Sequence, residues 1–156
     1  MAKATKENTK IRTVSHFHEL FEMLEVYRAH KDKIDILQKN DGTLERAFFV
    51  LAYHPNVQWV LPEGEPPYKK NTETMDGFGF MNLKKNMAQF NLFIKGRGYD
   101  NRPLARREQK FIQMLESVTP LEAKWILQCK DRNLTHCPVD VVRSAYPDLL
   151  PDESKT

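Results

Sequence analysis

Six cations crowd the stretch KGRGYDNRPLARREQK: Lys95, Arg97, Arg102, Arg106, Arg107 and Lys110. Only Asp100 and Glu108 oppose them. Ammonium and guanidinium groups at this density suit the capture of phosphate oxygens by charge and hydrogen bonding. Gly98 leaves the loop open to close approach by a ligand. The competing reading is a solvated loop leading into a helix, and charge alone leaves the two even. A nucleotide-phosphate cradle is not expected, because KGRG has neither the GxGxxG nor the GxxxxGK[ST] spacing.

Other residues capable of chemistry do not assemble into a site. HFHEL holds His16, His18 and Glu19 but is not HExxH. Two histidines two positions apart on a helix point to different faces and cannot share a metal. They read as surface or edge-of-core residues. Cys129, His136 and Cys137 lie close in sequence without a partner pair at zinc-ligand spacing. Cys129 is expected on a packed helix face and Cys137 beside the next helix. No nucleophile–base set and no carboxylate pair stands out, so no catalytic residue, metal or cofactor is expected. WVLPEGEPPYKK carries Trp59 and Tyr68 around a proline-rich loop, followed by Lys69 and Lys70. It reads as a connector whose aromatics finish the core, or as a loop that docks a partner or faces DNA.

The 156 residues suit one domain with a sizeable core. Hydrophobic residues make up 40% and charged residues 29%, as in ordinary globular chains. No apolar run approaches the length needed to cross a bilayer. The start, MAKATKENTKIR, does not read as a secretory signal. Two cysteines outside any CxxC pair do not build a disulfide framework. A cytosolic setting is the expectation. The net charge of +3 is unevenly placed. Residues 69–132 carry 13 Lys/Arg against 7 Asp/Glu, whereas both flanking regions are net acidic. A basic middle of this kind points to a localised anion-binding face.

The elements that must carry these residues are helices. Phe17, Leu20, Phe21, Leu24 and Tyr27 form an apolar stripe at helical spacing, predicting a helix from about Ser15 to His30. Ile34 and Leu37 mark a short second helix ended by Asn40-Asp41-Gly42, and Leu44 to Leu51 a third, stopped before Pro55. Val57 to Leu61 suits a short strand, a helical turn or a buried connector. Phe80, Leu83, Met87, Phe90 and Ile94 predict a helix from about Met81 to Lys95, with Gly96 as its left-handed cap. Pro103 opens the next helix, with Leu104, Phe111, Met114 and Leu115 buried and Arg106, Lys110 and Gln113 on another face. Thr119, Pro120 and Glu122 form a capping box ahead of a helix to about Lys130, and Pro138 starts a last short helix. Residues 1–12 are expected to be a mobile arm, 13–151 a single helical domain, and 152–156 a tail. The fold class predicted is all-α, a compact orthogonal bundle of six or seven short helices.

SVTPLEAKWILQCKDRNL and VDVVRSAYPDLLP resemble the N-terminal DNA-binding domain of phage ATP-dependent DNA ligases, as does DKIDILQKNDGTLERAFFVLAYHPNVQWVL upstream. Trp59 to Lys69, Arg106 to Ser117, Lys130-Asp131 and Leu149 to Pro151 resemble more closely a family of small uncharacterised proteins of T-even-like marine phages. The ligase resemblance implies a helical module that holds double-stranded DNA by its backbone, with Lys130 and Arg132 on the hairpin beside the basic stretch. It does not imply ligation, since KxDG occurs nowhere in the chain. His136 stands where the ligase hairpin commonly has glycine, a departure that bears on close approach to phosphate. The function expected is a non-enzymatic DNA-binding accessory protein of low sequence specificity in the bacterial host cytoplasm. Its DNA-binding residues would be Lys95, Arg97, Arg102, Arg106, Arg107, Lys110, Lys130 and Arg132. The alternative is a protein-interaction adaptor of the phage replication or late-transcription machinery.

Overall fold

The structure is a computed structural model that describes residues 9–70 and 83–151. Its described elements are α1 (Phe17–Val26), α2 (His30–Lys39), α3 (Thr43–Tyr53), α4 (Leu83–Asn86), a 3-10 segment (Met87–Phe93), α5 (Leu104–Ser117), α6 (Pro120–Lys130) and α7 (Val139–Ala145). The chain is all-helical and contains no strand among the described residues. Each apolar stripe faces a neighbour: α6 packs against α1, α3 and α5, while α2 packs against α1 and α7. At the centre Trp125 of α6 stacks on Phe21 of α1, with ring centroids 4.2 Å apart and planes within 3°. Phe17, Phe48, Phe49 and Tyr146 extend this aromatic centre. Burying such large rings contributes on the order of 1.5–3 kcal/mol per side chain.

Local chemistry sets the ends of the elements. Thr119 Oγ1 accepts the Glu122 N–H at 3.2 Å, and Glu122 Oε1 accepts the Thr119 N–H at 3.2 Å, so the capping box forms as expected. Glu122 is fully buried, and its other oxygen accepts the Leu83 N–H at 3.0 Å, fastening α4 to the start of α6. Asn40, just after α2, takes the Val14 N–H on its side-chain oxygen and donates to the carbonyls of Arg12 and Ile36.

Several expectations change. The first helix is shorter, ending at Val26. The predicted arm is not free along its whole length: Thr9 is buried, its carbonyl accepts the Tyr27 hydroxyl at 2.9 Å, and Arg12 pairs with Glu19. Residues 1–8 lie outside the described part, as does the whole of the predicted tail. The single helix expected from Met81 to Lys95 is one turn of α-helix followed by a 3-10 segment, with Met81 outside the described residues. Val57 to Leu61 is an extended connector: Trp59 bridges Ile94 antiparallel, Val60 N–H donates to Phe93, and Lys95 N–H donates to Gln58. Pairing with that connector draws the chain out of helix before Lys95.

His16 and His18 also depart from the expectation of separate faces. His16 precedes α1 in extended backbone, so its ring swings back and stacks on His18 at 5.5 Å. No group of three or more His, Cys, Asp or Glu residues able to hold a metal occurs among the described residues.

Burial raises the pKa of four thiol and phenol groups. Cys129, whose thiol donates to the Phe48 carbonyl at 3.7 Å, is pushed well up, and Cys137 rises to about 12. Tyr53 rises to about 12 and Tyr146 goes up as well. Each group keeps its proton longer folded than unfolded. Its stabilising contribution is therefore complete below the ordinary thiol and phenol values of 9.0 and 10.0, and is lost as pH climbs above them. Lys33 acts in the opposite direction. Its ammonium is buried between the Leu24 and His136 carbonyls, and desolvation lowers its pKa. With Tyr68 also raised, these groups outnumber Lys33 and Arg132, the lysine and the arginine whose pKa burial lowers, so the urea midpoint should fall progressively between pH 9 and pH 11. Denaturation followed by circular dichroism checks this, and a midpoint constant over that range would contradict it.

Candidate nucleic-acid interface

The basic stretch begins where the Trp59–Ile94 bridge ends. Gly96 and Gly98 both take positive φ, +83° and +94°, and the chain turns sharply there without a Cβ penalty. Asp100 closes the turn by accepting the Gly96 N–H at 2.9 Å. One of the two acids in the stretch thus serves the backbone. Pro103 then precedes α5, one position earlier than expected, in the N-cap place.

Five of the predicted cations are exposed: Lys95, Arg97, Arg102, Arg106 and Lys110. None of them forms an ion pair among the described residues. Arg97 donates to the neutral Asn91 side chain at 2.8 Å. Cations elsewhere are tied to acids, as in Lys39–Asp35, Arg46–Asp41, Lys84–Glu45 and Lys124–Glu25. Arg106, Lys110 and Gln113 share one exposed face of α5, at the spacing read from the sequence.

The start of α5 adds to this field. Pro103 offers no side-chain acceptor to the first-turn N–H groups, and no acidic residue stands in that turn. The positive end of the helix dipole is therefore met by Arg102 and Arg106 rather than by a carboxylate. This arrangement costs a few tenths of a kcal/mol per charge and is relieved by an anion.

The remaining three predicted cations are turned inward. Arg107 is only 6% exposed, and its Nε and Nη2 have no hydrogen-bond partner among the described residues. It lies on the α5 face of Phe111 and Met114 rather than with Arg106. Leu104, expected in the buried stripe, is instead 49% exposed, because the first turn of α5 projects past the core. Lys130 is buried, and its ammonium donates to the Pro62 carbonyl at 2.8 Å and to Asp131 at 2.6 Å. Arg132 sits in left-handed backbone at φ 63° and donates to the carbonyls of Leu51, His54 and Val57. The hairpin cations thus bind the protein's own oxygens and are not aimed outward with the strip. The spacing from Lys130 back to Ile126 and Ala123, both buried, already placed that lysine on a packed face.

His136, at the hairpin turn, is half-buried and stacks on Trp125 at 6.5 Å, and burial lowers its pKa. Trp59 serves the core: its indole N–H donates to the Leu51 carbonyl at 3.0 Å, and its ring packs edge-on against Phe90. No helix of the described residues is long and apolar enough to cross a membrane.

No curated protein and no solved structure matches the chain. The model of one protein family does, over residues 20–136, a span that begins within α1, takes in α2 through α6 and holds the whole basic strip. The chain therefore belongs to that family, DUF6433, a family of unknown function.

Proposed function

We propose that the protein binds the phosphate backbone of double-stranded DNA through Lys95, Arg97, Arg102, Arg106 and Lys110, without catalysis, as an accessory to other proteins that act on DNA. The observation that carries this reading is the set of five exposed cations with no acidic partner among the described residues, gathered on one loop and the first two turns of α5. Unpaired charges repel one another and destabilise the free protein slightly; a row of phosphates removes that repulsion and releases counterions. The uncapped start of α5 favours the same ligand. The likeness of the C-terminal third to the ligase DNA-binding domain, carried by motifs alone, favours duplex DNA over other polyanions. Exposed cations of this kind position a protein on a duplex but read little sequence.

Fluorescence anisotropy against intact, nicked and single-stranded DNA over a salt series tests the proposal. Affinity should be independent of sequence. The slope of log K against log salt should be about −4.5, near 0.9 counterions for each of five phosphate contacts. No binding at low salt, or binding indifferent to salt, would overturn it.

A further inference from the structure

Helix α5 has a second edge with the opposite charge. Along its Glu108–Ile112 side runs a cleft of about 460 Å³, closed on the far side by the segment from Leu61 to Pro67. Its floor is apolar, built from Leu61, Phe111, Ile112 and the Pro66-Pro67 pair. Three carboxylates stand around it: Glu63, Glu65 and Glu108. No Lys or Arg pairs with any of the three among the described residues. The one cation in the lining, Lys130, has its side chain 2% exposed and its ammonium held by Pro62 and Asp131. It offers no counter-charge to the three carboxylates.

The cleft is held open by its own anchors. Gly64 N–H donates to Asp131 at 3.2 Å, and Lys69 N–H donates to Glu116 of α5 at 2.8 Å, so the proline-rich segment is fastened on both sides. Proline carries no N–H, so Pro66 and Pro67 present ring carbon to an occupant instead of a competing donor. The volume lies within the roughly 300–1,000 Å³ typical of ligand clefts, large enough for a few side chains and too large for a lone ion.

We infer that this cleft docks an extended segment of a partner protein, one that places apolar side chains on Leu61, Phe111 and Ile112 and Lys or Arg side chains against Glu63, Glu65 and Glu108. Nucleic acid is the wrong occupant, because three unpaired carboxylates repel phosphate. The two edges of α5 then accept different ligands: a basic peptide on the acidic, apolar side and a polyanion on the basic side. This inference stands without the DNA reading, since it uses none of the same side chains.

Selection from a library of random decapeptides displayed on yeast, followed by anisotropy with the selected synthetic peptides, tests it. Enriched peptides should combine Lys or Arg with Leu, Ile or Pro. They should bind the triple variant Glu63→Gln/Glu65→Gln/Glu108→Gln at least tenfold more weakly, and a duplex oligonucleotide should not displace them. All three glutamates are at least partly exposed, and the variant's circular dichroism and urea midpoint should match the parent's. No enrichment, enrichment of acidic peptides, equal binding to the triple variant, or displacement by the duplex would each overturn the inference.

Discussion

Replacing Lys95, Arg97, Arg102, Arg106 and Lys110 together by glutamine should remove duplex binding and flatten its salt dependence. With a slope near −4.5, the parent protein loses roughly two to three orders of magnitude in affinity between about 50 and 200 mM salt. The fivefold variant should start about a hundredfold or more weaker at the low-salt end and change little from there. Single replacements report on individual contacts: Arg106→Gln or Lys110→Gln should reduce the slope by about one, uniformly across DNA sequences. Folding is not at stake in these variants, because all five side chains are exposed and none is ion-paired among the described residues. Surface changes of that kind stay within about 0.5 kcal/mol. Arg107→Gln is the internal control. Its guanidinium lies on the core side of α5, so the slope should hold. A fivefold variant that keeps both affinity and slope would show that the strip is only a solvated edge.

The division between Arg106 and Arg107 shows how much of this was readable in advance. Helical spacing from Phe111 and Met114 assigns Arg107 to the buried face of α5 and Arg106 to the open one. The same spacing from Ala123 and Ile126 assigns Lys130 to the packed face of α6. Charge density hides that geometry, because a run of basic residues has the composition of a single surface whichever way each side chain points. The capping box at Thr119 and the ends of α2, α3 and α7 were legible because they rest on contacts a few residues apart. The 3-10 segment was not. Its apolar pattern is helical, and what unwinds it is a pairing between Trp59 and Ile94, far apart in sequence. The acidic cleft was equally hidden. PEGEPP announces a loop, but nothing in it says that the loop is fastened to Asp131 and Glu116 or that α5 supplies the other wall.

Arg132 should matter for stability and not for DNA. The last-turn carbonyls of α3 have no partners within that helix, and the end of any helix carries partial negative charge. Arg132 answers both needs from across the chain: Nη1 donates to Leu51 at 3.1 Å and to Val57 at 3.2 Å, while Nη2 donates to His54. Its backbone is left-handed, which costs about 1–2 kcal/mol for a residue with a Cβ. The guanidinium bonds must therefore exceed that strain for the site to persist. Arg132→Ala keeps the strain and removes a charged donor from three carbonyls; Leu51 keeps the Trp59 indole N–H and His54 keeps the Val57 N–H, while Val57 loses the donor that Arg132 supplies. The expected loss is about 2–4 kcal/mol, a partly exposed guanidinium counting for less than a buried one. Arg132→Gly loses the same bonds but relieves the strain, so it should be less damaging than alanine by about 1 kcal/mol. Urea denaturation of the three proteins measures both differences. Duplex affinity of the folded variants, measured well below their unfolding midpoints, should match the parent's. If Arg132→Ala weakens DNA binding while leaving the midpoint in place, the hairpin faces phosphate after all and its bonds to α3 are incidental.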